Sequence, residues 1–402
     1  MNTKRTFGGA VTTLCLLLST NTYAQKTVDY HGRKAWALEN RAVRVLVTPG
    51  GGHIASVTLL SGGTKGLNPL WLPPWQSIEP QNLSKSNAFP AYPDPAGPLL
   101  ASILGQNICV DFFGAPSKPE AAAGVPVHGE APCLNWTAGA KAEKSITYSV
   151  SLPKAQMNVT RKIAMTPDSS AIWITETVQN KTAFDRPFGW QQHPSFGPPF
   201  VEQGATFFDI PGTKSMVYPK EFSTGMRLKK GEEFEWPYAP GTNGEQVDLR
   251  AFPLNGGKSS DYTATIIDPS RKWGYVTAVN TKRKVLIGYV WPRADWPWVG
   301  NWEENHFRSA KPWFGKALAR GMEFGTTPWP DSRKDAVQLN TLLGQPTYRW
   351  ISAQSSQSIG YGLFIANVPA GTTGVKDVQV EGNRIKVTLD GVEKTLSFVV
   401  TR

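Results

Sequence analysis

A strict alternation of apolar and polar residues limits what this chain can fold into. Ile146–Leu152, Met157–Met165 and Ala171–Val178 each repeat with period two and are rich in β-branched and aromatic residues. A side chain that changes face at every step belongs to a half-buried strand, not a helix. Pro153-Lys154 and Pro167-Asp168 separate the three runs, which predicts an antiparallel meander. Val43–Leu59 reads as two strands around the glycines at 50–52. Trp273–Asn280 with Val285–Trp291 reads as a hairpin, and Val378–Val380, Arg384–Leu389 and Thr395–Val400 as three more strands. Helical periodicity is confined to one short stretch, Asp335–Leu343. The 38 Gly and 32 Pro fit the many turns of an all-β chain. Residues 64–105 and 116–126 lack periodicity and are expected to form long loops, where binding residues tend to sit. No repeat or linker divides the sequence, so residues 25–402 are expected to form one β-sandwich domain.

The first 24 residues have the pattern of a secretory signal peptide: Lys4 and Arg5, an apolar run from Ala10 to Leu18, and Thr22-Tyr23-Ala24 before Gln25. That pattern predicts a periplasmic or secreted protein. No later apolar run approaches the ~20 residues of a membrane span, so no stable membrane insertion is expected. The net charge of +11 is dispersed, with Lys282-Arg283-Lys284 the longest basic run, which argues against nucleic acid. Beyond the leader only Cys109 and Cys133 remain. Two cysteines in an exported chain allow one disulfide or two free thiols, and both readings stay open. Zinc ribbons, dinucleotide folds, P-loops and the serine-hydrolase elbow lack their motifs, and neither a metal nor a cofactor is expected. Glu303 and Glu304 on their own do not make a metal site.

The 15 Trp suggest either a large packed core or flat apolar faces for a ligand. His193 lies in Gly189-Trp-Gln-Gln-His-Pro-Ser-Phe-Gly197, where Trp190 and Gln191 add an aromatic face and an amide beside an imidazole. Such a grouping suits a sugar: amides bind hydroxyls, a ring stacks, and imidazole moves a proton near neutral pH. His128 precedes Gly129, which would let backbone come close to a ligand. His53 reads as core or turn, and His31 as surface. Glu323 sits between apolar Met322 and Phe324, surroundings that suit a general base, although Arg320 or Arg333 could instead pair with it. In Trp296–Asn305 a strand would send Glu303 and Glu304 to opposite faces, with Trp302 beside Glu304.

Taken in order, these segments resemble the aldose 1-epimerase (galactose mutarotase-like) superfamily over roughly residues 35–400. Asn40–Val57 resembles its opening strands. Val127-His-Gly-Glu130 and Gln191-Gln-His-Pro-Ser-Phe-Gly197 resemble its two histidine segments. Phe208-Asp-Ile-Pro211 and Val217-Tyr-Pro-Lys220 resemble the strand pair that follows, and Pro297–Asn305 resembles a later strand. Gly321-Met-Glu-Phe-Gly-Thr-Thr-Pro-Trp-Pro-Asp331 resembles the segment that carries its base. The resemblance implies a β-supersandwich of antiparallel strands with long loops that binds a mono- or oligosaccharide without a cofactor. It implies Glu323 as base and His193 as acid in sugar ring opening, with His128 on the substrate; the local residue pattern adds Trp190, Gln191, Trp302 and Glu304 around it. The chain departs from the family near Gln106-Asn107, Gly300 and Gly325, where the family contacts sugar hydroxyls, so the sugar is left open. Two rival functions fit the same features. One is a carbohydrate-binding protein without turnover. The other is a lyase or hydrolase on an extracellular polysaccharide, with Glu304 and Glu323 as a carboxylate pair.

Overall fold

The computed structural model describes residues 1, 26–85, 96–253 and 257–402. The signal-peptide pattern, Met1 apart, lies outside the described residues, as do residues 86–95 of the long loop. Two antiparallel sheets pack face to face. The larger has 12 strands and runs from Lys26–Tyr30 at one edge to Glu233–Glu235 at the other. Its middle is built from Gln106–Asp111, Arg186–Phe196, Leu318–Gly325, Trp298–Asn305 and Ser259–Ile267, side by side in that order. The second sheet has eight strands, and the predicted meander forms one end of it as Ser145–Leu152, Met157–Met165 and Ala171–Asn180.

The period-two pattern explains the layering. Ile146, Tyr148 and Val150 point from their strand into the space between the sheets, while Thr147 and Ser149 do not. From the larger sheet Val110, Trp190, Val299, Met322 and Phe324 enter the same core. Each buried aliphatic side chain there contributes about 1.5–3 kcal/mol of transfer free energy. Strands apolar on both faces lie under a third layer. Val276 and Ala278 enter the main core, while Tyr275 and Val279 enter a second one. That second core lies beneath the sheet of Gly374–Glu381, Arg384–Asp390 and Thr395–Val399. The predicted helix is present but shifted, at Arg333–Leu339, with the Ser332 hydroxyl accepting the Asp335 N–H as an N-cap. The long loop carries a short helix, Gly97–Ser102. Cys109 and Cys133 are free thiols, not a disulfide. Burial holds the Cys109 thiol well above its usual range and raises that of Cys133, so both stay protonated.

Candidate active site on the outer face of the larger sheet

The outer face of the larger sheet supplies the floor of a pocket of about 400 Å³. Strand parity decides which side chains reach it. Gln192 pairs with Phe324 and Ser195 with Gly321, and this register sets His193 opposite Glu323 on the neighbouring strand. Both side chains point away from the main core, and His193 Nε2 lies 2.9 Å from Glu323 Oε1. Both are buried, at 5% and 1% side-chain exposure. His193 Nδ1 is 3.1 Å from the Ser195 hydroxyl, two residues along the same face.

Glycines make room for this pair. A Cβ at position 321 would come within 2.4 Å of Glu323 Oε1, and one at position 300 within 3.2 Å of Glu323 Oε2. Oε2 has no hydrogen-bond partner among the described residues, and neither does the Tyr262 hydroxyl, which lies against Gly300. Burial and the Glu323 carboxylate hold the Tyr262 phenol well above its usual range, so it stays a donor.

His128 completes the polar floor. Its backbone N–H donates to the Gly114 carbonyl (2.8 Å), and Gly114 N–H donates back to His128 Nδ1 (3.0 Å). An Nδ1 that accepts leaves the proton of the neutral ring on Nε2. Burial, and then His193, keep His128 well below the usual histidine range, so it is neutral and a donor at Nε2. Its ring stacks on Phe113 (5.2 Å) and meets His193 edge-on (5.1 Å). Gly129 permits a close approach, but to backbone: a Cβ there would come within 2.0 Å of the Val110 carbonyl oxygen.

The other residues singled out in the sequence divide between the pocket and the surrounding structure. Trp302 lines the pocket, its ring 6.0 Å from that of His193. Gln191 shares the face of His193 but is spent on structure, donating to the Glu323 carbonyl oxygen (3.0 Å). Trp190 has the opposite parity and is fully buried in the main core, its indole N–H on Glu176 (3.1 Å), so it offers no stacking face. Glu304 does share the face of Trp302, yet it does not line the pocket. Its Oε1 accepts the backbone N–H groups of Phe307 and Arg308, at 2.8 and 2.9 Å. A hydrolase pair of Glu304 and Glu323 is therefore not formed. Glu303 points the other way, to Arg227 and Arg320. Arg333 is engaged by Asp111 and Glu120, so neither Arg320 nor Arg333 is paired with Glu323. Among the described residues no cluster of three or more His, Cys, Asp or Glu could hold a metal ion.

The pocket walls were not legible in the sequence. They include Phe113, Phe222, Trp313 and Arg308, with Leu99 and Ile103 in and beside the short helix of the long loop. The site thus joins one carboxylate oxygen free to take a proton, an imidazole in contact with the same carboxylate, and two neutral donors. They lie under apolar walls, and this equipment suits proton transfer on a hydroxyl-rich ligand.

No family model matches the chain, and no curated protein matches it. Solved structures do. A candidate aldose 1-epimerase from Klebsiella pneumoniae superimposes with a TM-score of 0.61 at 12% identity, over 84% of this chain and 80% of that one. A galactose mutarotase-like protein from Clostridium acetobutylicum gives 0.53 at 15%, over 85% and 98%. A galactose mutarotase related enzyme from Lactobacillus acidophilus gives 0.53 at 14%, over 83% and 98%. At these identities the likeness concerns architecture, and by that architecture the chain is a galactose mutarotase-like β-sandwich.

Proposed function

We propose that this protein is an aldose 1-epimerase-like isomerase that interconverts sugar anomers by acid/base ring opening. The observation that carries the reading is the His193–Glu323 contact of 2.9 Å at the floor of an aromatic-walled pocket. The anomeric hydroxyl and the ring oxygen of an aldose are bonded to the same carbon. A base for one and an acid for the other must therefore be neighbours, and these two are.

Glu323 Oε2 takes the proton of the anomeric hydroxyl. The freed electron pair forms the C1 carbonyl as the bond from C1 to the ring oxygen breaks. His193, as imidazolium, delivers its Nε2 proton to the ring oxygen and keeps Nδ1–H toward Ser195. Rotation about C1–C2 presents the other carbonyl face. Reclosure runs the steps backward and returns each proton to its donor. Tyr262 and His128 Nε2–H supply hydrogen bonds to the oxygens that gain charge, and Trp302 supplies an apolar face for the sugar ring. Held adjacent and dry, acid and base act without a diffusional encounter. No step calls for a cofactor.

We also take the protein to be exported, on the pattern of residues 1–24, and to act on a mono- or oligosaccharide. Anomeric exchange followed by NMR, with Glu323→Gln as the comparison, tests the function.

A further inference from the structure

Among the described residues that line the pocket Arg308 is the one Arg or Lys, and it is unusually placed. Its guanidinium lies 4.9 Å from the Trp313 ring, 5.4 Å from Phe222 and 5.6 Å from Trp302. Its backbone is fixed by the buried Glu304 carboxylate, which accepts the Arg308 N–H at 2.9 Å. The same carboxylate forms an ion pair with the side chain, its nearest approach being to Nε at 3.5 Å. The two terminal Nη groups, the fork that grips a planar anion, make no hydrogen bond among the described residues. Rings hold the guanidinium in position, and burial lowers the pKa of Arg308. The guanidinium is thus paired with Glu304 on its Nε side, and its Nη fork is open to a second anion.

Trp302 links this fork to the chemistry. Its ring lies 6.0 Å from that of His193 and 5.6 Å from the Arg308 guanidinium. A sugar ring laid on this indole with C1 at His193 and Glu323 would turn its far end toward Arg308. Among the described residues the pocket lining holds two carboxylates, Glu221 and Glu323, against one guanidinium. That balance opposes a dianionic phosphate more strongly than a monoanion, whose one charge Arg308 can match.

We propose that the ligand is a uronate, an aldose whose far end carries a carboxylate that Arg308 binds through its Nη groups. This rests on the mutarotase reading for the orientation of the sugar, but not for the preference in charge.

The test measures binding of D-glucuronate against D-glucose and of D-galacturonate against D-galactose by tryptophan fluorescence, with glucose 6-phosphate as a third arm. Wild type is expected to bind at least one uronate about tenfold or more tightly than its neutral partner. In Arg308→Gln, shown by circular dichroism to be folded, that preference is expected to fall to within about twofold. Arg308→Lys should keep part of it, because the charge remains and the fork is lost. Equal binding of acidic and neutral sugars, tighter binding of the phosphate, a preference that survives Arg308→Gln, or no binding of any of them would overturn the proposal. Anomeric exchange in the same wild-type samples separates the two ideas. A uronate preference without exchange sinks the isomerase and leaves the Arg308 site. Exchange on neutral sugars with no preference does the reverse.

Discussion

The hydroxyl of Tyr262 occupies the space that a side chain at position 300 would need. A Cβ on Gly300 would come within 1.8 Å of that oxygen and within 3.2 Å of Glu323 Oε2. Gly300 pairs with Ala264 on one neighbouring strand and with Glu323 on the other. A small residue here lets a phenol from the next strand lie beside the carboxylate.

Gly300→Ala should push Tyr262 aside, destabilising the protein by about 1–3 kcal/mol, the usual cost of overpacking. Adding Tyr262→Phe should recover part of the loss, because the oxygen is the closest atom in the clash. Urea unfolding of the single and double variants checks this, and a Gly300→Ala protein as stable as wild type would contradict the placement of Tyr262.

Beneath the site lies a fully buried ionic network. Glu176 accepts from Arg161 Nε and Gln192 Nε2 at 2.6 Å, from Tyr361 at 3.0 Å and from Trp190 at 3.1 Å. Arg161 and Glu176 are both fully buried. Glu176→Ala should cost about 3–5 kcal/mol, because it strands a buried cation together with three further donors. A loss below about 1 kcal/mol in denaturant unfolding would show that the network is dispensable.

Acid should weaken the fold through His53. Burial, and then Arg33 and Arg161, hold His53 well below the usual histidine range. The unfolded chain therefore takes up a proton near pH 6.5 that the folded chain refuses. Stability from this group is whole above pH 6.5 and declines as the pH falls below it. Between pH 7.5 and 5.5 the loss is about 1.4 kcal/mol for a group that stays neutral when folded. Asp209 and Asp261, each pushed up to about 6 by burial, titrate nearby with the opposite sign. The His53 share is thus read as the difference between wild type and His53→Leu. Identical pH profiles for the two proteins would contradict it.

Much of this was legible in the sequence because a period-two pattern fixes faces as well as strands. The meander at 145–180, the C-terminal strands and the shared face of Trp302 and Glu304 all follow from it. The same rule shows why Trp190 missed the pocket. It lies an odd number of positions from His193 on one strand, Arg186–Phe196, and the two cannot share a face. Glu304 has the right parity, but its carboxylate is taken by the amides of the turn that follows. Tyr262, Arg308 and Trp313 were not legible. Their place depends on a register between distant strands, such as Tyr262 opposite Trp302, and on a loop folding back over the sheet. Nothing local in the sequence specifies either.

The most direct test of the central claim is the rate of anomeric exchange by NMR for a panel of neutral and acidic aldoses, with wild type and Glu323→Gln at equal concentration. The account predicts that wild type accelerates exchange of at least one sugar, and that Glu323→Gln loses about 100-fold to 10,000-fold of the acceleration while still binding that sugar. Acceleration undiminished in Glu323→Gln, or none by wild type for any sugar in the panel, would contradict it.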